Sequence, residues 1–176
     1  MKCLIHICCA PCAIYPVDCL KSQQLDVMGY FCNPNIHPYQ EFNRRKKTLV
    51  QYASHIDLRV IYENDYPLEQ WIQNITFRET DRCKLCYYDR LKSTAIIARK
   101  GKFHYFTTTL LYSKFQNHEL ISEMGKNLEK KYGVSFFYSD FRKGWKQGIE
   151  LSKKLNLYRQ EYCGCIYSEK ERYYKL

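Results

Sequence analysis

The chain is poor in the residues that interrupt structure, with 7 glycines and 5 prolines among 176 residues. Its composition, 45% hydrophobic and 26% charged, excludes a low-complexity or disordered chain. It describes one globular domain long enough to build a core without staples. No internal repeat is found, which excludes a solenoid or propeller. No segment approaches the ~18 apolar residues of a membrane span. Lys2 and the short apolar run after it resemble a lipoprotein signal, but the run is too short and contains His6. Glycine-rich fingerprints for a flavin, a nicotinamide or a nucleotide phosphate are also missing.

Acidic residues are few relative to basic ones. There are 28 Lys and Arg against 18 Asp and Glu, a formal net charge of +10. Such a surface attracts a polyanion, and with 16% aromatic residues a nucleic acid is the expected partner. Cysteine, by contrast, is abundant, at 10 residues. A chain of this length needs no disulfide scaffold. The thiols also cluster, as Cys8, Cys9 and Cys12, then Cys83 and Cys86, then Cys163 and Cys165. Close spacing is poor for loop-closing disulfides and good for metal ligation. The expectation is a cytoplasmic protein whose thiols are reduced or metal-bound. Cys3 and Cys19 read as core residues, and Cys32 stands at a strand end near the supposed site.

Strands are expected at residues 2–8, 27–32, 58–62, 102–110 and 135–138, from their apolar, aromatic and β-branched content. Helices are expected at 12–24, 39–55, 67–74, 83–99, 116–132 and 140–155. Pro11 suits the first turn of the first helix. In the second, Tyr39, Phe42, Leu49, Val50 and Ala53 are placed on the apolar face, and residues 44–47 on the other. The clearest stripe is Tyr87, Leu91, Ala95 and Ala98. The tail, "YCGCIYSEKERYYKL", is irregular in pattern. Alternating strands and helices imply parallel βαβ units and an α/β fold. Ligands in such sheets sit beyond the carboxyl ends of strands, at a switch point. "CCAPC" follows the first strand and "CNPNIHP" ends the second, so both reach that edge.

Counting separates the uses of the clustered thiols. Cys83 and Cys86 share one helix face near an N-terminus, where the dipole favours thiolate. Gly164 permits a bend that could aim Cys163 and Cys165 at one centre. One zinc takes four ligands, and seven clustered thiols are three too many. An iron–sulfur cluster takes thiolates in this kind of number. Zinc and dithiol redox chemistry stay open at this point.

The motifs "HICCAPC", "GYFCNPNIHPYQEF", "DRCKLCYYDRL", "FTTTLLYS", "DFRK" and "YRQEYCGCIYS" resemble those of the epoxyqueuosine reductases of the cobalamin-independent QueH type. The resemblance runs from Cys3 to Ser168. It implies an adenine-nucleotide hydrolase-like, Rossmann-like α/β sandwich, with "CCAPC" where relatives keep a phosphate loop. It also implies a tRNA-maturation enzyme that deoxygenates epoxyqueuosine to queuosine at the wobble position, the last step of queuosine synthesis. The implied cofactors are a [4Fe–4S] cluster and an adjacent mononuclear iron. Cys8, Cys9, Cys12, Cys83, Cys86, Cys163 and Cys165 are the implied ligands, and residues 157–176 are expected to close the site. An external electron donor is needed, because no flavin or nicotinamide fingerprint is present.

Asp81 and His37 are candidate proton donors, with a helix-cap role for Asp81 as the plainer reading. Asp89 and Asp140 are placed as partners of nearby arginines. Asn33, His37, Arg82 and Arg90 are candidate substrate contacts. The runs Arg44–Lys47 and Lys126, Lys130, Lys131, Arg142, Lys143 and Lys146 could meet phosphates. Rival readings are a zinc-stabilised tRNA-binding module without catalysis and a thiol-based tRNA sulfurtransferase. The missing nucleotide loop counts against the second.

Overall fold

A computed structural model describes residues 1–175. Five strands form one all-parallel sheet: β1 (Lys2–His6), β2 (Asp26–Phe31), β3 (Val60–Tyr62), β4 (Tyr105–Thr108) and β5 (Ser135–Phe136), in the order β3-β2-β1-β4-β5. The middle strand carries Cys3, Leu4, Ile5 and His6, all fully buried. A strand covered on both faces needs such a run instead of alternation. Leu4 stands opposite Met28 of β2 and Phe106 of β4.

Among the described residues seven α-helices complete the fold: α1 (Ala10–Ser22), α2 (Tyr39–His55), α3 (Leu68–Ile75), α4 (Arg82–Lys100), α5 (His118–Tyr132), α6 (Trp145–Lys154) and α7 (Ile166–Tyr173). Helix α1 packs against α2 and α6, while α4 packs against α5, β1 and β4. The chain winds outward from β1 to β3, then crosses to β4 and β5. This is the doubly wound, Rossmann-like arrangement, and its order reverses between β1 and β4. The expected α/β class and parallel sheet are therefore present, with the switch point at the carboxyl end of β1.

Several expected boundaries shift. The strand read over 102–110 is only Tyr105–Thr108. The Thr108 hydroxyl accepts the Leu110 N–H, and this cap turns the chain into a 3-10 turn over Thr109–Tyr112. The tail read as irregular contains α7. No residue of α7 is buried, so no apolar period marks it in the sequence. On α2, Tyr39 is 56% and Val50 47% exposed, against the expected face, whereas Arg45 of the supposed solvent run is 1% exposed. The Arg45 guanidinium is paired with Glu41 one turn earlier, at 2.6 Å. That ion pair lets a charge enter the core. Cys3 is a core residue as expected, and Cys19 and Cys32 are half-buried.

Candidate metal centre

One imidazole ties three strand ends together. His6 closes β1 and is fully buried. Its Nε2 lies 3.2 Å from the Cys32 carbonyl and 3.3 Å from Asn33 Oδ1, both just past β2. Both partners are acceptors, so Nε2 carries the proton. Nδ1 then accepts from the Thr108 hydroxyl at the end of β4, 2.9 Å away. Burial, helped by the nearby Arg90 charge, lowers the pKa to about 4 and keeps the ring neutral. Asn33 is locked in turn, donating to the Ile7 carbonyl at 2.9 Å.

This frame fixes the turn that carries the first thiols. Cys8 follows β1, Cys9 is the extended N-cap residue of α1, and Cys12 lies in the helix's first turn. Their sulfurs all lie within 4.8 Å of one another, and all three residues are buried. Ligands at ~2.3 Å around one tetrahedral ion stand a similar distance apart, so the triad suits a metal ion. Thr109, at the end of β4, brackets Cys8. Its hydroxyl accepts the Cys8 N–H at 3.1 Å and donates to Cys8 Sγ at 3.4 Å. Hydrogen bonds from Cys12 and Cys9, then from Thr109, hold the Cys8 thiol well below its ordinary pKa. Gln160 reaches in from the tail. Its Oε1 accepts from Cys9 Sγ at 3.1 Å, and its Nε2 donates to Cys12 Sγ at 3.3 Å.

The other four thiols lie on two elements. Cys83 and Cys86 are one turn apart at the start of α4, and Cys163 and Cys165 flank Gly164 in the tail. Gly164 adopts φ 151°, where a side chain is strained, and a Cβ there would come within 3.2 Å of Ile36. Cys163 and Cys165 lie near enough to Cys83 and Cys86 for their charges to bear on both. Among the described residues no three of these four close to the spacing of the first triad. Burial pushes the Cys86 thiol up to about 12 and raises Cys163 as well, with Arg90 opposing both.

Arg90 stands between the two sets. It lies one turn beyond Cys86, is 2% exposed, and donates from Nε and Nη2 to Asn35 Oδ1 at 3.0 and 2.6 Å. No carboxylate pairs with it among the described residues. Its charge interacts most with Cys86, then with Cys8 and Cys163. With Cys8, Cys12 and Cys163 it lines a cavity of about 360 Å³. A buried cation without a carboxylate is costly unless anions face it. Cys8 is the thiol beside it that is favoured as thiolate, and an anionic thiolate–metal assembly would fit that cavity's chemistry.

The tail is strapped in place from α2. Arg45 donates from Nη1 to the Cys163 carbonyl at 2.8 Å and from Nη2 to the Tyr162 carbonyl at 3.0 Å. The Gly164 carbonyl accepts the His37 N–H at 2.7 Å, and the Tyr162 hydroxyl donates to the His37 carbonyl. These bonds carry Cys163 and Cys165 to the sheet edge where Cys8 already stands.

The triad at this switch point is spaced so that it could hold a metal ion. The family profile described as "Epoxyqueuosine reductase QueH" matches residues 3–171. The chain belongs to this family. A Dehalococcoides mccartyi relative named epoxyqueuosine reductase QueH is 36% identical, covering 99% of this chain and 96% of its own. One from Thermotoga maritima with the same name is 38% identical, over 96% and 91% of the two chains. One from Streptococcus pyogenes is 34% identical, over 95% and 70%. Membership makes the chain an oxidoreductase of queuosine biosynthesis. No helix among the described residues is long and apolar enough to cross a membrane.

The other expected site residues are scattered. Arg90 lines the thiol cavity. Asn33 is 1% exposed and spent on the strand ends. Arg82 pairs with Glu171, and its guanidinium sits over Tyr167. His37 is buried, its ring nitrogens are without a partner among the described residues, and it packs on Trp71 and Tyr66. Burial, then Arg90, lowers its pKa to about 4, so it holds no proton on the second nitrogen at neutral pH. Asp81 is exposed at the N-cap position of α4, and its side chain makes no cap hydrogen bond. Neither His37 nor Asp81 lines the two cavities beside the triad. Asp140 does pair with Arg142, whereas Asp89 has no ion pair among the described residues. Sequence reasoning missed His6, Thr109 and Gln160. All three stand inside the motifs already quoted, His6 at the head of "HICCAPC", Thr109 in "FTTTLLYS" and Gln160 in "YRQEYCGCIYS".

Proposed function

We propose that this chain reduces epoxyqueuosine to queuosine at the wobble position of tRNA, as a cytoplasmic enzyme fed by an external electron donor. The epoxide takes up two electrons and two protons. Both C–O bonds of the epoxide break, its oxygen leaves as water, and a C=C bond forms in the cyclopentane ring. Cys8, Cys9, Cys12, Cys83, Cys86, Cys163 and Cys165 would hold a [4Fe–4S] cluster and an adjacent iron. When bound, that assembly supplies the electrons and a Lewis acid for the oxygen.

The chain's own residues have separate tasks in this reading. Arg90 balances thiolate charge without consuming a ligand. Thr109 and Gln160 orient the sulfurs of the triad. Residues 157–175 would close the site, held by Arg45 through the Tyr162 and Cys163 carbonyls. The observation that carries the proposal is buried, unpaired Arg90 between a thiol triad and two further thiol pairs, within a chain of this family.

The test is turnover. Metal-loaded protein, epoxyqueuosine-bearing tRNA and a chemical reductant are incubated without oxygen, and the nucleosides are separated by mass. Queuosine is expected. Its absence from fully loaded protein would defeat the reading.

A further inference from the structure

A second cavity, about 760 Å³, adjoins the thiol cavity. Cys12, Gln160, Phe115 and Trp145 line both, so the two spaces meet at the triad. Its size lies within the ~300–1,000 Å³ of small-molecule sites. Its walls carry an exposed aromatic side chain beside a tryptophan, and cations without ion-pair partners among the described residues.

The first is aromatic. Trp145 stacks on Tyr112 at 5.2 Å and 29°, and Phe115 meets Trp145 at 6.5 Å and 82°, making an open corner. Phe115 is 85% exposed. A phenylalanine left in water gains almost nothing from folding and gains only when something covers it. The second is cationic. Lys153, Arg159 and Arg172 line the same space, and none has an ion-pair partner among the described residues. Glu161 also lines it, but its carboxylate accepts the Tyr173 hydroxyl. A flat ring with an anionic end answers both features. A nucleotide has that shape and charge, and RNA-modifying enzymes take a target base out of its stack to reach it.

We infer that this cavity receives the modified nucleotide itself. Its base stacks on the Phe115–Trp145 corner, its phosphate meets Lys153, Arg159 and Arg172, and its substituted ring points to Cys12 and Gln160. The assignment rests on the tRNA reading above and gives it an entrance.

The test is fluorescence anisotropy on metal-loaded protein, using a labelled anticodon stem–loop that carries epoxyqueuosine. Phe115→Ala weakens binding about tenfold, in the range of one lost base–aromatic stack. Phe115→Trp restores it, and bound iron is unchanged in both. Phe77→Ala, at the other highly exposed phenylalanine, leaves binding intact. Unchanged binding in Phe115→Ala, or an equal loss in Phe77→Ala, overturns the assignment. Phe115-dependent binding without turnover sinks the redox reading and keeps the nucleotide site. Turnover with Phe115-independent binding does the reverse.

Discussion

Arg90 and Arg45 are both buried guanidiniums, and they solve the problem of burial differently. Arg45 has Glu41 at 2.6 Å, a carboxylate partner one helical turn away. Among the described residues Arg90 has only the Asn35 amide oxygen and the thiols around it. The second arrangement places positive charge among thiols, which must be deprotonated if they are to bind a metal. Cys9→Ala and Cys86→Ala should therefore each lower the iron bound per chain well below the parent's, while Cys19→Ala leaves it nearly unchanged. Iron analysis of the three purified variants checks this, and equal iron in all three would break the ligand set. The Cys8–Cys9–Cys12 triad was legible in the sequence because its three thiols stand within five residues, and the structure brings their sulfurs within 4.8 Å of one another. Arg45 was not legible, because a buried and a solvated arginine look alike in a basic run. The Glu41 one turn before it was the signal available.

At the scale of elements, secondary structure was legible where an element buries one face and obscure where it does not. Helix α4 shows its stripe because Tyr87, Leu91, Ala95 and Ala98 all enter the core. Helix α7 buries nothing, so hydrophobic periodicity had nothing to report. What positions the tail is a set of backbone carbonyls, those of Tyr162, Cys163 and Gly164, and a carbonyl carries no residue-specific mark. Arg45→Ala removes the strap and leaves Glu41 buried without its cation. Breaking such a pair costs ~3–5 kcal/mol, and the melting temperature should fall accordingly. In the metal-free variant, amide exchange over residues 162–165 should quicken beyond any change in α5. Unchanged exchange in the tail would mean that Arg45 does not hold it. Glu41→Gln combined with Arg45→Met removes both charges and should recover part of the melting temperature without recovering the protection.

At the scale of the whole molecule, the fold and the site share one cause. Reversal of strand order between β1 and β4 opens a crevice at the carboxyl ends of those strands. The first motif ends β1 and the Thr107–Thr109 run ends β4, so both arrive there without any long-range instruction beyond the sheet. Two later segments bring their thiols to the same edge, one on α4 and one in the tail. Element order made readable only that "CCAPC" and "CNPNIHP" share this edge; the two cavities were not readable, because they are bounded by side chains from segments far apart in sequence. In the proposed function these thiols carry redox iron and not a structural zinc. Anaerobic purification followed by metal and acid-labile sulfide analysis tests it most directly. Sulfide is expected together with iron in excess of it, since a cluster holds equal numbers of the two and the adjacent iron adds more. Colourless protein with one equivalent of zinc and no sulfide would contradict it.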